Sequence, residues 1–226
     1  YIKARNENEG LGKAEEALSK EMAKHEKRLK KSPLAYPEEM GKALWLSNEY
    51  DKNQKVRKGK VDLIEMPAYY DPKAKFGYAI WTPVKYEPKS KAYPLLLCIP
   101  DEGEKATDHI TEKWIDAQIR EEAIIAAVQM PSDTSLWTSS APPSQESGTG
   151  NLLKTLAEVS RNYAIDFDRV YLAGRGLGVE AALTFASRYL DRFAGVIGRS
   201  GDAPETLAIE NLKLLPIFFA GAGARA

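Results

Sequence analysis

Three glycines spaced two residues apart, at the end of an apolar run, constrain the fold of this chain more than any other feature. Residues 170–173 have the continuous apolar character of a buried strand. Gly174, Gly176 and Gly178 follow, and residues 180–183 are good helix formers. This order predicts a strand that enters a sharp turn at Gly176 and continues directly into a helix.

That order resembles the nucleophile elbow of the α/β-hydrolase superfamily, in which a strand, a Gly-x-Ser-x-Gly turn and a helix raise a serine hydroxyl above the sheet. The flanking segments 163–174 and 187–196, and the upstream segment 91–100, are similar to the core of the esterase and polyhydroxybutyrate depolymerase-like family, which includes feruloyl and acetylxylan esterases. The resemblance covers residues 61–226. It implies an α/β fold with a mostly parallel sheet flanked by helices.

The catalytic groups of that family are not matched when they are carried over residue by residue. The nucleophile position falls on Gly176, which has no side chain to attack a carbonyl. The oxyanion loop, often His-Gly-Gly-Gly, falls on residues 100–103. Pro100 lacks a backbone donor, and the carboxylates of Asp101 and Glu102 would oppose an oxyanion.

The acid and base positions of the family are not matched either. The strand that precedes the acid corresponds to residues 215–220, and Ala224 stands at the acid position. The histidine would fall beyond residue 226, so the domain is expected to be C-terminally incomplete. The resemblance implies a degenerate site with no catalytic residue, and the candidate pocket or binding residues are Pro100, Asp101, Glu102, His109, Trp137, Arg175, Gly176 and Ser200.

A displaced serine-hydrolase mechanism is an alternative, because His109, Ser200 and Asp202 supply the residue types of a triad. The competing interpretation is that Ser200 caps a turn and His109 lies on a helix surface. The residue types of five side chains also suit a metal site, although their spacing is not diagnostic: Asp101, Glu102, Glu104, Asp108 and His109. No metal and no cofactor are predicted.

Composition excludes several classes of protein. The 226 residues are 43% hydrophobic and 28% charged with a formal net charge of zero, which argues against a nucleic-acid or membrane-surface role. No apolar run approaches the roughly eighteen residues that span a bilayer. The sole cysteine, Cys98, lies in an apolar run, which predicts a buried thiol and excludes internal disulfides. Composition identifies no cellular compartment.

Strand and helix patterns alternate from residue 61 onward. Segments 61–66 and 76–82 are predicted to pair as antiparallel strands around a turn at residues 71–73. Apolar runs typical of parallel strands covered on both faces follow at residues 93–99, 123–128, 170–173, 194–198 and 216–220. Helical patterns lie at residues 152–163 and 179–189.

The segment 131–150 is unusually long for a loop without periodicity, and it follows a strand at the sheet edge where ligands bind in open α/β folds. One interpretation is a lid or binding loop with Trp137 as an anchor. The other is a disordered surface excursion.

Residues 1–60 are predicted to form a helical extension and a basic linker ahead of the α/β domain at residues 61–226. Residues 11–31 carry one thin apolar stripe at helical spacing, made of Leu11, Ala14, Leu18, Met22 and Leu29. A second short helix is predicted at residues 37–50. The linker cations favour a solvated loop over a nucleic-acid contact, and they are Lys52, Lys55, Arg57, Lys58 and Lys60.

A helix with so narrow a stripe is marginal by itself in water. Leu11, Leu18, Met22 and Leu29 are therefore predicted to bury against a protein partner or a second copy, the alternative being packing on the chain's own domain. The sequence as a whole predicts a catalytically inactive α/β-hydrolase-like domain that serves as a scaffold or binding module. The alternative is a carboxylic-ester hydrolase whose catalytic residues are displaced, or supplied by missing sequence or another subunit.

Overall fold

The computed structural model describes residues 11–29, 56–142 and 144–221 of a chain that divides into two units, residues 1–55 and 56–226. The described part of the first unit is a single helix, α1 (Leu11–Leu29), which confirms the predicted N-terminal helix. The predicted helix at residues 37–50, and also Lys52, Lys55 and Ala224, lie outside the described residues. None of the described helices is both long and apolar enough to cross a bilayer.

The described residues of the second unit contain one seven-stranded sheet with the strand order β1-β2-β4-β3-β5-β6-β7. Its strands are β1 (Val61–Pro67), β2 (Lys75–Trp81), β3 (Tyr93–Ile99), β4 (Ile124–Val128), β5 (Ile165–Arg175), β6 (Gly195–Arg199) and β7 (Ile217–Ala220). The first two strands pair antiparallel, β2 pairs antiparallel with β4, and all other pairs are parallel. The mostly parallel sheet and its antiparallel edge are therefore confirmed.

Helices cross between the parallel strands, as such connections require. A helical segment between β3 and β4 begins as α2 (Ala106–Asp108), continues as a π-helical turn (His109–Lys113) and is followed by α3 (Ala117–Glu122). The next crossovers are α4 (Gly148–Asn162) and α5 (Leu177–Arg188). Because α4 begins at Gly148, the long loop before it is three residues shorter than the segment 131–150 that the sequence suggested.

The central strands are apolar because both of their faces are covered. All five residues of β4 are buried, and so are six of the seven residues of β3. Cys98 lies there with no exposed surface, as predicted, and burial raises the pKa of its thiol. Each fully buried leucine or isoleucine of this core contributes about 1.5–3 kcal/mol to folding.

The last strand departs from the predicted pattern. Residues 216–220 pair with β6 as expected, but Ile217, Phe218 and Phe219 are 38%, 63% and 45% exposed. The continuous apolar run predicted a strand covered on both faces. Instead β7 is the edge of the described sheet, and described elements cover its side chains only in part.

Candidate functional site

The turn between β5 and α5 has an unusual backbone. Gly176 adopts φ 53° and ψ −124°, a conformation that residues with a side chain rarely adopt. Its N–H donates to the carbonyl of Arg199 at 3.0 Å, and its own carbonyl accepts the N–H of Val179 at 3.1 Å. The turn lies where the glycine pattern predicts a switch from strand to helix.

The two flanking glycines permit close packing. A Cβ atom at Gly174 would overlap the carbonyl of Gly178, and a Cβ atom at Gly178 would overlap the carbonyls of Ile99 and Pro100. The end of β3 therefore approaches the start of α5 more closely than side chains at these positions would allow. This packing brings the loop after β3 against the turn at Gly176.

The carboxylate of Asp101 fills the space beside Gly176. A Cβ atom at Gly176 would overlap that carboxylate. Asp101 Oδ1 accepts the N–H of Leu177 and the N–H of Glu102, both at 2.9 Å. Leu177 is the first residue of α5, so the carboxylate lies at the positive end of that helix. In a nucleophile elbow, the serine side chain occupies this space, and the N–H of the next residue is one of the oxyanion donors.

Arg175 links this carboxylate to a second one. Its Nη1 lies 3.3 Å from Glu104 Oε2 and 3.7 Å from Asp101 Oδ2, and Glu104 Oε2 also accepts the Asp101 N–H at 3.0 Å. The side chains of Arg175 and Asp101 are each 34% exposed, so solvent screens their attraction. The contact therefore positions the loop after β3 more than it stabilises the fold.

His109 is buried, with only 2% of its surface exposed. The indole Nε1–H of Trp114 donates to His109 Nε2 at 3.2 Å, and because an indole cannot accept, that nitrogen carries no proton. His109 Nδ1 then donates to Glu104 Oε2 at 2.9 Å. Both ring nitrogens are used, so neither is free to take a proton from a nucleophile.

Burial governs the charge of this pair. It lowers the pKa of His109 below its usual value, although the hydrogen bond and the negative charge of Glu104 oppose that shift. Burial alone would raise the pKa of Glu104, but hydrogen bonds from His109 and from the Asp101 N–H, together with the charge of Arg175, lower it. A neutral His109 beside an ionised Glu104 is the resulting state at neutral pH.

Arg120 holds the end of the π-helical turn that begins at His109. The guanidinium of Arg120 donates to the carbonyls of Trp114, Ile110 and Thr111 at 2.6, 3.2 and 3.2 Å. Those bonds satisfy carbonyls at the end of the helical segment, where no following turn supplies N–H groups. His109 itself is buried, so the interpretation that it lies on a helix surface is wrong.

The displaced triad is not assembled. Ser200 is exposed with φ 53°, and its N–H donates to the carbonyl of Ala220 at 3.1 Å in the turn after β6. Asp202 is exposed as well. Within the described residues, no hydrogen bond joins either side chain to His109, whose nitrogens are held by Glu104 and Trp114.

A cleft of about 500 Å³ opens between the loop after β3 and the segment after β4. Trp137 lines it and is only 6% exposed, and its Nε1–H donates to the carbonyl of Pro131 at 2.8 Å. Arg188 Nη1 ties the same segment to α5 through the Thr138 carbonyl at 2.7 Å and Ser140 Oγ at 2.8 Å. The segment is therefore folded onto the domain, which favours the binding-loop interpretation over a disordered excursion.

The predicted pocket residues divide into three groups. One group lines the cleft and consists of Pro100, Asp101, Glu102 and Trp137. Arg175 and Gly176 contact Asp101, and His109 joins them through Glu104. Ser200 lies in the turn after β6 and shares no described hydrogen bond with the other groups. Within the described residues, no three His, Cys, Asp or Glu side chains are arranged to hold a metal ion.

The sequence missed two contributors to this arrangement. The N–H of Leu177 is the donor that holds Asp101, and its position as the first residue after the turn was the available signal. Trp114 fixes the tautomer of His109, and nothing in the spacing of the two residues indicates that contact. The residue type of Glu104 suggests only a metal ligand, whereas in the structure it pairs with Arg175 and His109.

Solved structures that align with this chain include two esterases and an S-formylglutathione hydrolase. A thermostable esterase aligns with a TM-score of 0.56 at 21% identity, over 71% of this chain and 46% of its own. A ferulic acid esterase aligns with a TM-score of 0.53 at 20% identity, over 65% and 61%. S-formylglutathione hydrolase from Staphylococcus aureus aligns with a TM-score of 0.52 at 15% identity, over 63% and 57%.

At these identities the similarity establishes the α/β-hydrolase fold and nothing finer. The chain spans between 46% and 61% of the length of these three proteins. No protein-family model matches the chain, and neither does any curated protein.

Proposed function

We propose that the α/β unit is a catalytically inactive domain with the α/β-hydrolase fold that acts as a binding module or scaffold. One observation carries this proposal: the Asp101 carboxylate lies where an elbow side chain would lie and accepts the Leu177 N–H. Ester hydrolysis on this fold needs a nucleophile at that place and an N–H free for the developing oxyanion. Here Gly176 has no nucleophilic side chain, and the Asp101 carboxylate already accepts the Leu177 N–H.

The state of His109 supports the same proposal. A general base must reach the proton that it removes with a free lone pair. The Nε2 lone pair of His109 accepts the indole N–H of Trp114, and its Nδ1–H donates to Glu104. The histidine therefore holds the π-helical turn against the loop after β3.

Two surfaces are proposed for binding. The cleft beside Trp137 is large enough for a small ligand, since such sites usually measure about 300–1,000 Å³. The second surface is the stripe on α1, where Leu18 is 37% exposed and Met22 is half-buried; the side chains of Leu11 and Leu29 lie outside the described part of the chain. We propose that this stripe contacts a protein partner or a second copy of the chain.

The test of inactivity uses short acyl esters and a fluorophosphonate probe. We expect no hydrolysis of p-nitrophenyl acetate or butyrate above the rate with heat-unfolded protein, and no covalent labelling. Gly176→Ser should remain inactive, because its side chain would overlap the Asp101 carboxylate and would lack a base.

Ser200→Ala is the matched control, because Ser200 is the exposed serine of the displaced triad. Labelling of the folded protein that disappears in Ser200→Ala would overturn the proposal in favour of a displaced ester hydrolase. Labelling that persists in Ser200→Ala would overturn it in favour of a nucleophile elsewhere in the chain.

A further inference from the structure

The Asp101 carboxylate occupies the space of the side chain that Gly176 lacks. The turn at Gly176 has the backbone of an elbow, yet the volume of the elbow side chain is filled by a carboxylate from a different loop. The two residues are 75 positions apart in sequence, so this contact depends on the tertiary fold. Gly176 and Asp101 are therefore sterically linked, because a side chain at Gly176 requires Asp101 to move.

The carboxylate is held as a bound anion would be held. Its Oδ1 accepts two backbone N–H groups, from Glu102 and from Leu177 at the start of the twelve-residue helix α5, and its Oδ2 faces the Arg175 guanidinium at 3.7 Å. Glu104 is the opposing carboxylate and shares the same guanidinium. Three positive or donating groups thus surround Asp101, and one negative group competes for the cation.

The same residue lines the cleft. Asp101 is on the loop after β3, which forms one wall of the cleft of about 500 Å³. Its bond to Leu177 pins that wall against the turn at Gly176. A carboxylate attached to the chain is present at an effective concentration in the millimolar range or above, so dilute external anions do not displace it.

We infer that the Asp101 carboxylate is an intramolecular ligand. It occupies an anion-binding site formed by Leu177 N–H, Glu102 N–H and Arg175. When that carboxylate is removed, the site can bind a small external carboxylate. This inference rests on the proposed function in one respect, that Gly176 has no nucleophilic side chain. The turn at Gly176 is then an anion-binding site that is occupied by a residue of the same chain, from the loop after β3.

The experiment measures thermal unfolding of the whole chain in sodium formate against sodium chloride at equal ionic strength. Asp101→Ala should melt below the wild type, and formate at about ten times its Kd should raise the Tm of this variant by about 4 °C. The wild type should shift no more in formate than in chloride. Asp101→Asn fills the same space, so it should show no formate-specific shift either.

Glu102→Ala is the matched control, because it removes a neighbouring exposed carboxylate that accepts no described hydrogen bond at the turn. Should Asp101→Ala fail to fold, Asp101→Ser carries the same formate titration. Equal formate shifts in the wild type and in the Asp101 variant would overturn the inference, as would their absence in both.

The steric link gives a second and independent readout. Gly176→Ala should lower the Tm in the wild-type background, both because of its positive φ and because its Cβ overlaps Asp101. In the Asp101→Ala background the overlap is gone, so the loss should be smaller by several degrees. Strictly additive losses would overturn the inference. Neither readout uses catalysis, so esterase activity would refute the proposed function without affecting these results.

Discussion

His109 is the residue whose chemistry couples most directly to the stability of the domain. It is buried between Glu104, Trp114 and the positive charges of Arg175 and Arg199, and burial is the main cause of its lowered pKa. A lowered histidine pKa means that the unfolded chain binds a proton at a pH where the folded chain does not. The stabilisation is therefore complete above the unfolded pKa of 6.5 and is lost as pH falls through the folded pKa.

We therefore expect the free energy of unfolding to decrease on acidification below pH 6.5, by about 1.4 kcal/mol for each unit by which the pKa of His109 is lowered. The lowered pKa of Glu104 should add a further loss below its ordinary value of 4.5. Urea unfolding at a series of pH values measures both losses. His109→Gln, which can still accept from Trp114 and donate to Glu104, should flatten the slope near pH 6.

His25 is the other histidine of the sequence, and the same substitution there, His25→Gln, is the matched comparison that shows how much of the slope belongs to His109. A slope near pH 6 that survives His109→Gln would show that a different group carries the pH dependence.

The segment between β4 and α4 is the element whose role depends most on one side chain. Trp137 is buried and bonded to the carbonyl of Pro131, so it fixes one wall of the cleft. We expect Trp137→Ala to lower the free energy of unfolding by about 3–5 kcal/mol and to expose the segment to proteolysis. Trp137→Phe keeps most of the ring and loses the hydrogen bond, so its cost should be about 1–2 kcal/mol.

Chemical unfolding and limited proteolysis measure these effects. Val84 is 69% exposed, and Val84→Ala should change stability by less than about 0.5 kcal/mol. If Trp137→Ala unfolds at the wild-type urea concentration, the segment is a loosely attached lid and Trp137 is not its anchor.

Elements with a strong local pattern were predictable from sequence. The strands β3 and β4 are continuous apolar runs, and the turn at Gly176 follows from glycine spacing within nine residues. By contrast, β5 begins at Ile165, before the apolar run at 170–173. Ile165 pairs with Tyr93 of β3, but residues 166–169 bulge out of the register with β3, and residues 167–169 are exposed. Hydrophobic periodicity carries no signal for such a segment.

Contacts between distant residues were not predictable. The bond from Leu177 N–H to Asp101 joins positions 76 apart, and the π-helical turn depends on Arg120 reaching back to three carbonyls. The sequence places the carboxylate of Asp101 in the loop after β3. It could not indicate that the same carboxylate would lie at the helix start, because that placement follows from how closely Gly174 and Gly178 let β3 approach α5.

At the scale of the whole molecule, the proposed contact surface is the apolar stripe on the N-terminal helix. The described helix α1 is nineteen residues long, and ion pairs between Glu16 and Lys20 and between Glu21 and Lys24 are exposed on its charged face. Exposed pairs of this kind stabilise a helix by only about 0.3–0.5 kcal/mol each. Burial of the stripe that contains Leu18 and Met22 is therefore the larger available source of stability.

We expect Leu18→Glu combined with Met22→Glu to abolish self-association or partner capture, because two carboxylates would be buried at the contact. The Tm of the α/β unit should stay close to the wild-type value. Ser19→Glu with Ala23→Glu is the matched control, since both positions are exposed and the same charges then lie one residue away from the stripe. Sedimentation velocity and differential scanning calorimetry are the two measurements. A wild type that sediments as a monomer, together with a large loss of Tm in the Leu18/Met22 variant alone, would identify α1 as a brace within its own chain.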